Sequence, residues 1–131
     1  MSVQEKAEEN KRAADILYEE NLTNASISRY YYSAYQYLLD LNNKKLGYKV
    51  NKSSSSSHED LFEHTNKYLS NCQSNNFRSY SKARAIISLI RNIKKQRVVA
   101  DYEESDSDIH YTQKKYRQFK EALGEFNNIL K

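Results

Sequence analysis

The chain has no proline, no tryptophan, one cysteine, one methionine and only two glycines, Gly47 and Gly124, in 131 residues. Each scarcity excludes something. With so few backbone breakers and abundant Lys, Glu, Gln, Leu and Ala, a turn-rich β architecture is excluded and an all-α fold expected. The lone Cys72 rules out an intramolecular disulfide framework and offers no metal-ligand spacing. It reads as a small filler rather than a reactive thiol. No apolar run approaches the roughly 20 residues of a membrane helix, and the N-terminus is polar and charged, unlike a signal peptide. A cytoplasmic protein without a membrane partner is therefore expected. There is no glycine-rich phosphate loop, no paired metal ligands, no HExxH and no nucleophile elbow, so no metal and no cofactor are expected.

What the sequence does hold is tyrosine and charge. Twelve tyrosines stand beside four phenylalanines. A phenol buries apolar area while keeping a polar tip, so a small core can rest on such rings. One domain over residues 1–131 is expected, long enough for a single core. The net charge of +4 is unevenly spread. Between Arg78 and Ala100 lie seven bases (Arg78, Lys82, Arg84, Arg91, Lys94, Lys95, Arg97) and no acid; Asp101 to Asp108 carries five acids and no Lys or Arg. A basic helix of one sign suits a polyanion, with Arg84, Arg91, Lys94 and Lys95 as candidate contacts to nucleic acid. A solvated helix face explains the same run equally well.

Apolar periodicity predicts five helices. The first covers about 3–20, with Ala7, Ala14, Leu17 and Tyr18 inward. Asn21 to Asn24 breaks it, and Thr23 or Asn24 is expected to cap the second, about 25–45, which buries Ile27, Tyr31, Ala34, Tyr35, Leu38 and Leu41. Gly47 sits where a left-handed C-cap belongs. The serine-rich stretch 49–57 reads as a loop within the domain. A short third helix, about 59–72, points Leu61, Phe62, Thr65 and Leu69 inward. A polar connection to Ser81 follows, then a long basic helix, about 82–102, with Ala83, Ile86, Ile87, Ile90 and Ile93 on its core side. After an acidic loop to Tyr111, Thr112 is expected to cap a last helix to Leu130, burying Tyr116, Phe119, Leu123 and Phe126.

The most telling stretch is Arg97-Val-Val-Ala-Asp101-Tyr102. On a helix Asp101 lies one turn beyond Arg97, with Tyr102 beside them. That trio could grip a phosphate or nucleotide; it could also be a salt bridge under a tyrosine lid. Arg29, among tyrosines on a mostly buried helix, needs a partner, and Asp101 is a plausible one. Tyr30, Tyr31, Tyr32, Tyr35 and Tyr37 serve as core or interface, or stack on bases where exposed.

Three segments together resemble a known family. Ser28-Arg29-Tyr30-Tyr31-Tyr32-Ser33-Ala34-Tyr35 resembles the SRxYYxxF signature on the second helix of HEPN domains, in the branch of small stand-alone bacterial and archaeal proteins. Ser57-His58 resembles the SH that opens their third helix, and Arg97 with Ala100-Asp101-Tyr102 resembles the RxxADY that ends their fourth. Order and spacing agree over nearly the whole chain. The resemblance implies an up-and-down helical bundle, a homodimer and a bacterial or phage origin. It also implies RNA or a nucleotide as partner. Many such proteins are metal-independent endoribonucleases, and many sit beside a small nucleotidyltransferase in a toxin–antitoxin module. Others have lost catalysis.

The catalytic form of the family carries Arg-x4-6-His. Histidine helps the ribose 2′-hydroxyl lose its proton, and arginine stabilises charge gathering on the phosphate. Here the slot after Arg97 holds Tyr102; counted from Arg91 it falls on Gln96, Arg97 or Val98. A phenol with a reference pKa of about 10 is a poor base at neutral pH but can donate or stack. Arg97, Asp101 and Tyr102 are thus the candidate catalytic residues, with Arg29, Tyr32 and His58 in support. His110, expected in the loop after the fourth helix, could fold back over Arg97 or reach a partner; His64 reads as an ordinary helix-face residue. The readings carried forward are an RNA-directed HEPN-like protein, a non-catalytic partner of a nucleotidyltransferase, and a structural or adaptor helical dimer.

Overall fold

The computed structural model describes residues 1–48, 57–71, 77–103 and 107–129, without the side chains of 69–71, 77–80, 82–83 and 129. Among these are five helices and no strand: α1 Val3–Glu19, α2 Thr23–Lys45, α3 Ser57–Asn71, α4 Phe77–Tyr102 and α5 Ile109–Ile129. The all-α helical bundle expected from composition is what the chain forms. Residues 49–56, Cys72 and Leu130, and the side chains of Leu69 and Ala83, all assigned from the sequence, lie outside the described residues.

Local chemistry sets the helix ends. Ser2 accepts from Glu5 N while Glu5 reaches back to the Ser2 amide, a capping box that opens α1. α1 closes in a Schellman motif. Asn21 takes φ +62, its amide bonds the Tyr18 carbonyl at 3.0 Å, and Leu22 N bonds the Leu17 carbonyl at 2.9 Å. Neither Thr23 nor Asn24 then caps α2. The helix starts at Thr23 itself, behind Leu22, with no side-chain cap. Gly47 has φ +66 just past α2, as expected, and the amides of Leu46 and Tyr48 both fold back to the Asn42 carbonyl at 3.1 Å.

Two starts differ from the sequence expectation. α4 begins at Phe77, so Ser81 lies inside the helix instead of capping it. The stretch 77–81 is polar enough to read as loop, yet it contains no breaker. α5 begins at Ile109, capped by Asp108, whose Oδ1 accepts from Tyr111 N at 2.9 Å. Thr112 is buried in the first turn and bonds the Asp108 carbonyl at 2.8 Å, so it is a helical residue and not the cap.

α2 is the hub and packs against all four other helices, while α4 packs on α2, α3 and α5. The core is built from Tyr31, Ala34, Leu38, Leu61, Phe62, Ile86, Ile90, Ile93, Phe119 and Phe126, all fully buried. Burying each large side chain is worth about 1.5–3 kcal/mol. α1 meets α2 along a seam of small residues. Ser26 Oγ donates to the Ala14 carbonyl and Ser33 Oγ to the Ala7 carbonyl, both at 2.7 Å. Because Ser33 spends its proton there, the buried Tyr116 hydroxyl donates to Ser33 Oγ at 2.9 Å. Between α2 and α3, Asn42 donates to Thr65 Oγ1 at 3.0 Å, and Thr65 donates in turn to the Leu61 carbonyl at 2.9 Å. No described helix is long and apolar enough to cross a membrane.

Candidate functional site

Arg97 lies one turn from the end of α4, where that helix passes the first turns of α2. Its Nη1 donates to Asp101 Oδ2 at 3.3 Å, so the i, i+4 pair foreseen in the sequence is made. The Arg97 side chain is only 14% exposed, against 28% for Asp101. Three rings surround the guanidinium: its Cζ stands 5.3 Å from the Tyr31 centroid, 5.7 Å from Tyr32 and 5.8 Å from Tyr102. Cations favour such π faces. Arg97 Nε is buried with no acceptor among the described residues.

His58, on the first turn of α3, comes into the same cluster. Its Nδ1 shares a hydrogen bond of 2.6 Å with the Tyr31 hydroxyl, and its ring stacks on Tyr35 at 4.0 Å. Tyr32 meets it edge-on at 6.1 Å. Burial, then the nearby charges of Lys94 and Arg97, push the imidazole pKa below its ordinary value of 6.5. His58 is therefore neutral at pH 7. Burial also raises the Tyr31 phenol far above the usual range, so that bond joins two uncharged groups.

Arg29 does not join the site. It is exposed, and its Nη1 donates to Asn10 Oδ1 at 3.1 Å. Ser28 faces Asp101 instead, with its Oγ 3.5 Å from Oδ2. One residue turns a helix by roughly 100°, and periodicity did not settle which of these neighbours points at α4. His110 is helical, not in a loop, and meets Tyr18 edge-on at 6.1 Å. His64 is more than a helix-face residue: its Nδ1 lies 2.8 Å from Asn42 Oδ1, joining the buried Asn42–Thr65 network.

No family model matches the chain, and no curated protein or solved structure matches it either.

Three of the four basic candidates share the outer side of α4 with Tyr102, while Lys94 turns toward α3, its ammonium 5.7 Å from the Phe62 ring centre. Spacings of seven, four and seven residues put Arg84, Arg91, Lys95 and Tyr102 on one face. Two adjoining grooves run along it. One, of about 310 Å³, is lined by Arg84, Arg91, Lys95 and Asn66; the other, of about 480 Å³, by Arg91, Lys94, Lys95, Val98 and Val99 together with the carboxylates of Glu59 and Glu103. Glu59, not singled out in the sequence, pairs with Arg91 at 3.2 Å and Lys94 at 3.0 Å. Partial burial opposes its charge, but the bonds and charges of Lys94 and Arg91 prevail and hold the carboxyl below its usual range. It could have been suspected as an acid in the first turn of the helix next to the basic one. Among the described residues no three His, Cys, Asp or Glu side chains form a group able to hold a metal ion.

Proposed function

We propose that this protein is a HEPN-like homodimer that acts on RNA, as a metal-independent endoribonuclease in which His58 takes the proton-handling role missing from the Arg97 motif. The observation that carries the reading is the joining of a neutral imidazole to the arginine cluster through Tyr31. In the proposed reaction a ribose 2′-hydroxyl gives its proton to His58 and attacks the adjacent phosphorus. The 5′-oxygen leaves and takes up a proton from water, which the His58 imidazolium replaces, giving a 2′,3′-cyclic phosphate and a 5′-hydroxyl. Arg97 stabilises the charge collecting on the phosphate oxygens, which only the transition state carries in full. Asp101 holds the guanidinium in place, and Tyr102, on the same face of α4 as the basic residues, stacks on a base of the RNA. The groove tracks the RNA backbone through counterion release. Cleavage by purified protein should persist in EDTA and fall with Arg97→Ala and His58→Gln. Activity that needs added metal, or that survives both substitutions, would refute the reading.

A second reading rests on Tyr102. At 75% exposure it is among the most exposed large hydrophobic side chains of the described residues, and its ring lies beside Arg97. A partner nucleotidyltransferase could use such a phenol as acceptor, with Arg97 holding the incoming phosphate. Co-expression with the adjacent reading frame should then add a nucleotidyl mass to the Tyr102 peptide. An unmodified peptide beside an active transferase would reject it.

A further inference from the structure

The bundle carries a recess that the cluster above does not use. It lies where the start of α1 meets the C-terminal halves of α2 and α5, and encloses about 300 Å³. That volume is at the lower end for small-molecule pockets. Lys44, Lys45 and Lys120 line it, with Tyr37, Leu123 and Gly124 in its walls. Of its lining residues only Asp40 is acidic, and that carboxylate already pairs with Lys44 at 3.2 Å. Glu8, the other acid felt here, accepts from Gln4 Nε2 at 3.3 Å.

Two features set the recess apart from a solvated patch. Lys120 is half-buried, with its ammonium 3.2 Å from the centre of the Tyr37 ring. Burial lowers its pKa, with Glu8 opposing. Gly124 stands inside α5, where glycine weakens a helix relative to alanine. No left-handed backbone angle requires it, and a Cβ there would meet nothing within 4 Å. Neither conformation nor packing explains the residue; its effect is to leave the recess open.

The charge is carried by three ammonium groups without a guanidinium; Lys44 is shared with Asp40 and with Gln4 Oε1 at 3.4 Å, so the net excess rests on Lys45 and Lys120. Lysines are point charges that gather around a tetrahedral phosphate, whereas a planar carboxylate is best matched by the arginine fork. We propose that this recess binds a phosphomonoester with a compact apolar body. The phosphate sits among Lys44, Lys45 and Lys120, and the body lies against Leu123 and the open face of Gly124. The site is independent of the Arg97 cluster and of the reaction proposed there.

Amide-resolved NMR titration of the full chain with phenyl phosphate tests it, beside inorganic phosphate and benzoate. Phenyl phosphate should shift the amides of 40–45 and 120–127 saturably, with a Kd of about 1 mM or tighter. Inorganic phosphate and benzoate should bind roughly tenfold more weakly, each lacking one half of the recognition. Exposed Lys45→Gln should weaken binding. Gly124→Leu should abolish it without lowering the melting temperature, because leucine is the better helix former and the added Cβ meets nothing within 4 Å. The proposal is overturned by any of three results: no saturable shift in these segments, equal binding of either control, or retained binding in a folded Gly124→Leu protein. Shifts confined to 97–102 would also overturn it and would bear only on the arginine cluster.

Discussion

Replacing Arg97 by methionine separates a functional arginine from a structural one. Methionine keeps the apolar stem and removes the charge and all donors. Three ring contacts are lost, each worth about 0.5–1 kcal/mol; sharing one cation, they are not additive and together count for about 2 kcal/mol. The i, i+4 pair with the partly exposed Asp101 adds about 0.5 kcal/mol. Against these stands the buried Nε without an acceptor, whose desolvation costs about 1–3 kcal/mol and disappears in the variant. The terms nearly cancel, so stability should stay within about 1 kcal/mol of the parent. Cleavage in EDTA should meanwhile fall roughly 100- to 1,000-fold, as when one oxyanion donor is deleted. Urea unfolding followed by tyrosine fluorescence, beside a cleavage assay on the same preparation, measures both. A stability loss of about 3 kcal/mol or more, the size of breaking a buried ion pair, would make Arg97 a structural keystone and refute the reasoning.

Other expectations follow from neighbouring features. His58 and His64 both have lowered pKa values in the fold, so the unfolded chain takes up protons first as pH drops through about 6.5. Stability should be complete above that pH and erode below it. Urea midpoints measured across this window should therefore fall with acid, and a flat profile would count against the two sites. Gly47→Ala should cost about 1 kcal/mol because φ is +66, whereas Gly124→Ala should gain a similar amount in a helix interior; thermal melts of the pair check the contrast. Glu59→Gln frees Arg91 and Lys94, so single-stranded RNA should bind more tightly, with the log–log salt slope steeper by about 0.7 for each extra phosphate contact. Unchanged affinity would show that the groove does not bear on RNA.

The helices were legible because their apolar stripes are strong, from Ile86, Ile87, Ile90 and Ile93 on α4 to Tyr116, Phe119, Leu123 and Phe126 on α5. Starts were harder wherever polarity imitates a loop, as at 77–81, or where Asp108 outcompeted Thr112 for the cap. Within the site, the Arg97–Asp101 pair follows from one helix and could be read directly. Contacts between helices could not. Whether Arg29 or Ser28 faces Asp101 depends on the rotation of α2, and the approach of His58 depends on where α3 docks. Asn42 occupies a core position one turn from Leu38, and its polarity concealed a buried network with Thr65 and His64.

The tyrosine-built core also sets an alkaline limit on the fold. Tyr31 and Tyr116 are almost wholly buried, and burial drives both phenols well above their ordinary pKa; Tyr30 is pushed up to about 12 by burial and then by its bond to Asp15. In the unfolded chain each would ionise near pH 10. Above that pH the unfolded state sheds protons that the folded state must keep, and Tyr31 and Tyr116 each withdraw up to about 1.4 kcal/mol of stability per pH unit. Two units of base then remove about 5 kcal/mol, comparable with the whole stability of a small domain. A phenylalanine core of the same shape would not respond to hydroxide, so here the hydroxyls that order the interior also make it dissolve in alkali.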